Sequence, residues 1–553
     1  MYSVRTTCPH CAVGCGIRAI RDGDRHVLIE GDRTHPANQG RLCHRGAGIR
    51  DELDLEGRLL EPRKGGNVID WDRAAGHIAR RLSGLASRHG ADAIGFILSD
   101  GLLTEDYYAA NKLMKGYIGG ANIDMDAGGW AVAARAHGDA LGEMVVPATY
   151  EDVDRADMIV VAGVDLPAAY PVLHRRIMAA REERGMALAW LHLHMPPGTE
   201  AERGAHLPVG PDRIAMLMNG LLAHCDQAGA VDADYLDNHV AAPLGFWDHI
   251  RTGHDIWSVA RACDLSPAQV KQYYEGFAAS PRALTLFAND LGDAATRAIL
   301  NVHLATGRIG KPGAAPFLLA GSANAMGASE VGSLPGELAA HHRFGDQAAA
   351  VVQRLWGSPT MAQGPGLDMA GMLEGLEAGR IRAIWLMEVD PVADPVLGER
   401  WRAALTACPL VVLSTAWSGA ATAPLAHVLL PAAPWGERDG TTTNADRLVS
   451  RHRAIFPWTG QARPHWWMVT RVARAMGWWD GFTFERPVDI YREHARLSAY
   501  RNDGERLFNL KRHGSLSNPA YDELTPWRWG EVPFDHGQFP TGDGRARLSI
   551  VKA

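Results

Sequence analysis

Cysteine is scarce in this chain of 553 residues, which contains only seven. Seven is an odd number and too few for a disulfide framework, so a disulfide-stapled secreted domain is excluded. Four of the seven lie within the first 43 residues. The other three, Cys225, Cys263 and Cys408, stand apart and are expected to be ordinary buried cysteines. This uneven distribution indicates a functional site near the N-terminus.

An excess of positive charge is also missing, because 63 acidic residues face 56 Lys and Arg and the formal net charge is −7. Such a balance gives no reason to expect nucleic acid or an anionic membrane as a partner. The uncharged stretch 403–436 is long enough for a membrane helix, but its four prolines favour buried strands and turns, so no membrane span is expected. The N-terminus shows no export signal, so we expect a cytoplasmic protein.

Internal repeats are absent, which excludes solenoids and propellers. Beyond about residue 65, short apolar runs alternate with amphipathic stretches. One predicted helix has Thr104 as its N-cap, with Glu105 and Asp106 in its first turn. The pattern predicts an α/β fold with two parallel sheets, covered by helices on both faces. The predicted strands are 93–99, 158–165, 186–194, 283–290, 383–390 and 409–414, and the other predicted helices are 172–184, 294–306 and 399–407.

Polar loops follow these strands, at the sheet edge where open parallel sheets bind their ligands. Gly and Asp are common in any turn, so only the whole set of loops favours a cofactor site. No G-x-G-x-x-G sequence follows a strand and opens a helix, so a nicotinamide or flavin cofactor on this chain has no support. The loops are 99–101, 163–165, 289–292, 389–391 and 414–415.

Three of the N-terminal cysteines lie within eight residues and the fourth follows after a gap: Cys8, Cys11, Cys15 and Cys43. Four thiolates suit either a [4Fe–4S] cluster or zinc. Structural zinc usually takes two closely spaced pairs of ligands, so a triple run with one remote cysteine favours the cluster. One cluster implies one-electron transfer to a second redox centre. His10 and His44 flank the cysteines and are expected as neighbours, not ligands.

Several longer segments carry a resemblance to a known family. They are CPHCAVGCG (8–16), GRLCHRG (40–46), HLATGRIGKPG (303–313), NAMGASEVG (324–332) and WGERDGTTTN (435–444). Together they resemble the molybdopterin oxidoreductase family, and most of all the large catalytic subunit of bacterial assimilatory nitrate reductases. The resemblance extends from Cys8 to about Arg547, which is nearly the whole chain.

The resemblance implies a fold in which an N-terminal [4Fe–4S] domain feeds electrons to molybdenum held by two molybdopterin guanine dinucleotides. It implies reduction of nitrate to nitrite by oxygen-atom transfer. The implied domains are an iron–sulfur domain (1–60), a discontinuous α/β domain (61–140 and 335–530) and a Rossmann-like domain (141–334). Residues 531–553 would be a truncated linker to a C-terminal barrel that the relatives carry.

The resemblance also implies ligands and partners. The four cysteines would bind the cluster, and no catalytic residue is predicted. The expected electron donor is a ferredoxin or a flavoprotein reductase subunit, and a separate chain would supply the barrel. The implied cofactor contacts are Arg45, Gly163, Asp165, Asn289, Asn324, Met326, Gly327, Asn444 and Arg447.

Four departures from the family pattern bear on chemistry. The loop 125–131 has no cysteine where the relatives place a thiolate on molybdenum; Trp130 cannot ligate a metal, and Asp126 is a conceivable oxygen ligand. Ser329 replaces an arginine expected beside the substrate, and the loops 163–165 and 192–197 lack groups that would grip phosphate. Three hypotheses follow. The chain is a nitrate-reductase-like enzyme, a molybdenum-free electron-transfer or assembly module of such a system, or an inactive truncated paralogue.

Overall fold

The computed structural model describes residues 2–23, 25–195, 198 and 204–552. The chain begins with a three-stranded antiparallel sheet in the order Tyr2–Thr7, Gly16–Arg21 and Val27–Gly31. A short helix, His44–Gly48, and a 3-10 turn, Ile49–Leu53, follow it. The hairpin between the first two strands therefore carries three of the four clustered cysteines.

A seven-stranded sheet takes its strands from two distant parts of the chain. Its five apolar strands are parallel and the first two form an antiparallel edge. The parallel strands are buried almost end to end, as expected for a sheet covered on both faces. In spatial order the strands are Asn67–Val68, Arg63–Lys64, Val428–Pro431, Leu410–Thr415, Ala383–Met387, Ile94–Ser99 and Ile123–Asp126.

Helices from both stretches accompany this sheet. They are Trp71–His89, Thr104–Asn111 with its π-helical continuation Lys112–Ile118, Ala325–Val331, Asp346–Trp356, Met369–Glu377, Gly398–Ala407, His465–Ala475, Pro487–Ala499 and Asn518–Asp522. The uncharged stretch 403–436 forms the end of a helix, two strands and turns. No helix in the described part of the chain is long and apolar enough to span a bilayer.

The second large sheet has five parallel strands: Ala205–Leu207, Ala187–Leu191, Met158–Ala162, Ala283–Ala288 and Ala315–Leu319, in spatial order. Its helices are Trp130–Leu141, Tyr150–Val153, Leu166–Ala169, Pro171–Arg184, Ile214–Gln227, Ala233–His239, Phe246–Arg251, Ile256–Cys263, Pro267–Ala279 and Gly292–Ala305. The α/β class with parallel sheets is thus confirmed. The boundaries at 60, 140, 334 and 530 stay predictions.

Three small sheets complete the fold. One is the antiparallel set Gly440–Thr443, Leu448–His452 and Trp527–Arg528. The Nδ1 atom of His452 in this sheet lies within hydrogen-bond distance, 3.1 Å, of the hydroxyl of Thr7 in the N-terminal sheet. The others are the hairpin Glu337–Ala339 with His342–Arg343, and the pair Val240–Ala241 with Ala546–Arg547. The first of these sheets fastens the cysteine hairpin to the body of the protein.

One predicted cap is wrong. The helix begins at Thr104, and its N-cap is Leu103. The Asp106 carboxylate accepts the Leu103 backbone N–H at 3.2 Å and so satisfies the helix start. Thr104 is therefore free to use its hydroxyl elsewhere, on Asn324 at 3.3 Å.

Candidate cluster and cofactor site

The hairpin that carries the first three cysteines is closed by its own backbone. The Cys8 N–H donates to the Cys15 carbonyl at 2.8 Å, and the Gly14 N–H donates to the Cys11 carbonyl at 3.0 Å. Gly14 has φ 59, a left-handed conformation that glycine adopts without a side-chain clash. The spacing of the cysteines therefore follows from a tight loop between two strands.

The fourth cysteine comes from a later segment that packs on this loop. Cys43 is the N-cap of the helix His44–Gly48. A Cβ on Gly46 in that helix would lie 3.7 Å from the Cys8 Sγ atom, so the helix lies directly against the first cysteine. The two separate stretches of the N-terminal segment thus meet, as the sequence predicts.

The thiols also influence one another electrostatically. Burial raises the pKa of Cys8, Cys11 and Cys15, and that of Cys11 reaches about 11. The proximity of Cys43 raises the pKa of all three further, while Arg45 opposes the rise at Cys8 and Cys11. Three buried thiols beside the half-buried Cys43 become thiolates only where a cationic centre compensates their charge. The donor set therefore fits an iron–sulfur cluster.

Mononuclear zinc fits this arrangement less well. In residues 2–23, 25–195, 198 and 204–552, no three His, Cys, Asp or Glu side chains are placed to hold one metal ion. A single zinc ion draws its thiolates into one tetrahedron at about 2.3 Å from the metal. A cubic cluster instead takes one thiolate on each of four irons, which tolerates a wider separation of the sulfur atoms.

Two predicted cofactor residues connect the cysteine loop to the seven-stranded sheet. The Asn444 amide donates to the Val13 carbonyl at 3.0 Å and accepts the Leu448 N–H at 2.9 Å. The Asn324 amide donates to the Leu102 carbonyl at 2.9 Å and accepts the Thr443 N–H at 2.7 Å. These asparagines thus join the cluster loop to a strand end of the sheet.

Three other predicted cofactor residues, Met326, Gly327 and Arg447, are buried in the fold. Gly327 permits close approach, since a Cβ there would lie 2.2 Å from Asn324 Oδ1, and the neighbouring Met326 is buried. Arg447 is fully buried; burial lowers its pKa to about 10, and it donates to the Val146 and Ala148 carbonyls.

Three more predicted contacts lie at the five-stranded sheet. Arg45 donates from the cluster segment to the Ala169 carbonyl. Gly163, with φ 66, leaves room for Leu291, whose Cδ2 would lie 2.2 Å from a Cβ at that glycine. Asp165 caps the helix Leu166–Ala169 by accepting the Ala168 N–H at 3.1 Å. The Asp165 carboxylate is thus used locally as a helix cap.

The loop 192–197 after the neighbouring strand is only partly described, because Pro196 and Pro197 lie outside the described residues. Its half-buried His192 accepts the His194 backbone N–H at 3.1 Å, so the ring closes the turn.

The loop 125–131 is tightly clamped. The Asn289 amide donates to both the Ala127 and the Gly128 carbonyls at 2.6 Å. The Met125 sulfur accepts the Tyr107 hydroxyl at 3.4 Å. The same hydroxyl lies 2.7 Å from the Ser99 carbonyl, which is the stronger acceptor of its single proton. Since the only sulfur in the loop is a thioether, these residues do not fit a molybdenum ion that needs a protein thiolate.

Two of the departures noted in the sequence meet in space. The Trp130 indole N–H donates to the Ser329 hydroxyl at 3.0 Å, although the two residues are 199 positions apart. Both side chains are buried, Trp130 with 1% and Ser329 with 0% of its surface exposed. An indole and a hydroxyl thus satisfy each other where the family pattern has a thiolate loop and an arginine.

The loop 125–131 lines part of a cavity of about 300 Å³. Its charged lining is acidic throughout and consists of Asp124, Asp126, Asp368 and Asp394. Burial raises the pKa of Asp124 to about 7, and burial with the proximity of Asp394 raises that of Asp126. Because like charges repel, this cavity does not favour the phosphates of a dinucleotide.

The structure also assembles a polar group that no sequence motif marks. Glu143, Glu337 and His341 line one cavity of about 390 Å³. Glu143 and His341 are 198 positions apart, so no local periodicity could have connected them.

The comparisons with known proteins agree with this architecture. The model of the molybdopterin oxidoreductase Fe4S4 domain matches residues 1–54, and the model of the molybdopterin oxidoreductase family matches residues 58–475. The chain belongs to the molybdopterin oxidoreductase family. Its likeness to nitrate reductases, which the sequence predicts, is confirmed by the relatives below.

Several curated relatives are named nitrate reductase. The chain is 40% identical to the nitrate reductase of Klebsiella oxytoca and 34% identical to that of Shewanella frigidimarina. The matches cover 96% and 99% of this chain, but the chain spans only 61% of the length of each relative. Among solved structures, acetylene hydratase from Pelobacter acetylenicus matches with a TM-score of 0.77 at 17% identity, over 99% of this chain and 77% of that one. That match supports the fold.

Proposed function

We propose that this chain is an iron–sulfur redox protein of the nitrate-reductase type. In this proposal Cys8, Cys11, Cys15 and Cys43 hold a [4Fe–4S] cluster that accepts electrons one at a time. The observation that carries it is the packing of the Cys43 helix on the loop of the other three cysteines. The proposed overall reaction is the two-electron reduction of nitrate to nitrite, which the names of the curated relatives support.

The chain's own contribution is to hold the cluster and to connect it with the two large sheets. Arg45 bridges to the helix Leu166–Ala169, and Asn444 bridges to the cysteine loop. Molybdopterin guanine dinucleotide with molybdenum, when bound by a family member, supplies the oxygen-atom transfer. The proposed electron donor is a ferredoxin or a flavoprotein reductase subunit.

The cluster is tested by anaerobic purification followed by iron, sulfide and zinc analysis and low-temperature electron paramagnetic resonance. We expect about four irons and four labile sulfides per chain. Cys43→Ser should lose most of the iron. Cys408→Ser should keep it, because that buried cysteine lies outside the group of four N-terminal cysteines. One zinc per chain without labile sulfide would refute the proposal.

A second candidate is a molybdenum-free electron-transfer or assembly module of a nitrate reductase system. The buried Trp130–Ser329 hydrogen bond favours it, since both partners differ from the family pattern and are matched to each other. Molybdenum and pterin analysis of the same preparation separates the two candidates. Molybdenum with pterin beside the iron supports the enzyme, and iron with neither supports the module.

A further inference from the structure

A strained turn joins the two strands of the hairpin Glu337–Ala339 and His342–Arg343. Its two central residues, Ala340 and His341, have φ values of 50 and 59. Two-residue hairpin turns with positive φ at both positions strongly prefer Asn-Gly, because glycine and asparagine tolerate this conformation. Alanine and histidine do not relieve the strain, and backbone strain of this kind clusters at functional sites.

The turn directs the His341 ring into the protein interior, where only 1% of the side chain is exposed. Its Nδ1 atom lies 2.6 Å from the Glu143 Oε1 atom. Glu143 also accepts the backbone N–H groups of Leu507 at 2.7 Å and Phe508 at 2.9 Å. Since Glu143 accepts both backbone N–H groups, we assign the remaining short contact to a hydrogen bond from His341 Nδ1–H to Glu143 Oε1.

The other ring nitrogen has no such partner. His341 Nε2 is buried and makes no hydrogen bond within the described residues. The Oε2 atom of Glu337, at the opposite end of the first strand, is also buried and unpaired. Native proteins pair nearly all buried polar atoms, and His342 Nε2 is a third unpaired atom on this hairpin, so these orphans indicate a missing ligand.

Glu337 and His341 line the same cavity of about 390 Å³. Met144, Leu334 and Leu367 form part of its apolar wall. Arg135 and Arg343 also line it, Arg135 paired with Asp293 at 3.8 Å and Arg343 with Asp139 at 2.5 Å, and Asp368 is the remaining charged residue of the lining beside Glu143. The helix Trp130–Leu141 forms one side, directly after the loop 125–131.

We propose that this cavity binds a small oxyanion of the class that includes nitrate and nitrite, held by His341 Nε2–H and the Glu337 carboxyl group. The choice of nitrate and nitrite within this class rests on the proposed function; the site itself rests on the cavity and its two unpaired atoms. The two buried groups donate to the oxygens of the anion.

Protonation controls this site. Burial raises the pKa of Glu337 to about 7, so near neutrality it still carries a proton to donate. Burial opposes the charged form of His341, but Glu143 outweighs it and raises the His341 pKa. The charged and titratable groups that face the pair are Glu143, Glu330, Lys115, Arg343, Arg506, His342 and His494. Anion affinity should therefore fall as pH rises through 7.

Isothermal titration calorimetry of the purified full chain tests the site with sodium nitrate and sodium nitrite, against sodium chloride at equal ionic strength. We expect one saturable oxyanion site, at least about tenfold tighter at pH 6 than at pH 8.5, with proton uptake seen as buffer-dependent heat. No saturable binding, or chloride binding as tightly as nitrate, would overturn the proposal.

Matched variants separate the ligand contacts from the strain. His341→Asn tolerates the left-handed turn but removes the imidazole, and should weaken nitrate binding by at least about tenfold. Ala340→Gly relaxes the turn without touching either donor, so its affinity should equal that of the unchanged chain. Equal nitrate affinity in His341→Asn and the unchanged chain would contradict the assignment.

Glu337→Gln provides an independent readout, because its amide donates at every pH. This variant should bind nitrate at pH 6 and lose most of the decline towards pH 8.5. If His341→Asn does not fold, this pH profile decides, and an unaltered decline overturns the role of Glu337. Saturable binding by a chain without iron would refute the proposed redox function and leave the oxyanion site standing.

Discussion

The Trp130–Ser329 hydrogen bond makes a quantitative prediction about the loop 125–131. Ser329→Ala leaves the buried indole N–H without an acceptor, which costs about 1–3 kcal/mol. Trp130→Phe leaves the Ser329 hydroxyl unpaired and adds a small void, for a similar cost. The double variant removes both polar groups, so its cost should fall below the sum of the two single costs by about 1–2 kcal/mol.

Native-state hydrogen exchange of the amides in the helix Trp130–Leu141 is the suitable assay. Exchange reports the local opening of this helix, whereas chemical or thermal denaturation reports on all the sheets together. The chain also contains a matched control. Trp385 donates to the Ser414 hydroxyl at 3.1 Å inside the seven-stranded sheet, and both are buried.

Ser414→Ala should therefore weaken protection of its own sheet and leave the helix Trp130–Leu141 unchanged. A coupling energy below about 0.5 kcal/mol between Trp130→Phe and Ser329→Ala would refute the reasoning, because independent sites are additive within that range. The loop 125–131 would then not be held in place by this pair.

Three further predictions follow from buried charges. Arg58→Met should destabilise the protein by about 1.5–3 kcal/mol in chemical denaturation, because it removes one of the two guanidinium groups beside the buried Glu437 carboxylate and leaves Arg25 and Thr459 as its partners. Adding Glu437→Leu should recover part of that loss. Burial raises the pKa of Glu105 to about 7, so the folded state keeps a proton that the unfolded state releases above about 4.5. The unfolding free energy should therefore fall by about 3 kcal/mol from this group as pH rises between those two values. Thermal denaturation of Glu105→Gln at the same pH values should lack that part of the decline. The Lys115 ammonium donates to the carbonyls of Gly332, Leu334 and Glu337 at 2.5 to 2.9 Å. Lys115→Met removes this donor and should increase hydrogen exchange of the segment 332–337. Unchanged exchange in that segment would contradict the assigned role of the lysine.

Local sequence patterns predicted much of the architecture. The apolar run 383–390 forms the strand Ala383–Met387, and 283–290 forms Ala283–Ala288, because a strand buried on both faces must be apolar along its length. The cysteine spacing predicted the loop that carries the cluster ligands. The cap at Thr104 was predicted wrongly, since the reach of Asp106 back to Leu103 is a matter of side-chain placement.

The sequence by itself determined the parallel α/β class, the spacing of the four N-terminal cysteines and the absence of cysteine from the loop 125–131, since each is written in residue type and short-range spacing. Only the tertiary structure decided what replaces the lost groups. Trp130 reaches Ser329, and His341 reaches Glu143, across nearly 200 residues. Such pairs arise because sheet order and helix packing bring distant segments together, and no helical or strand period extends that far.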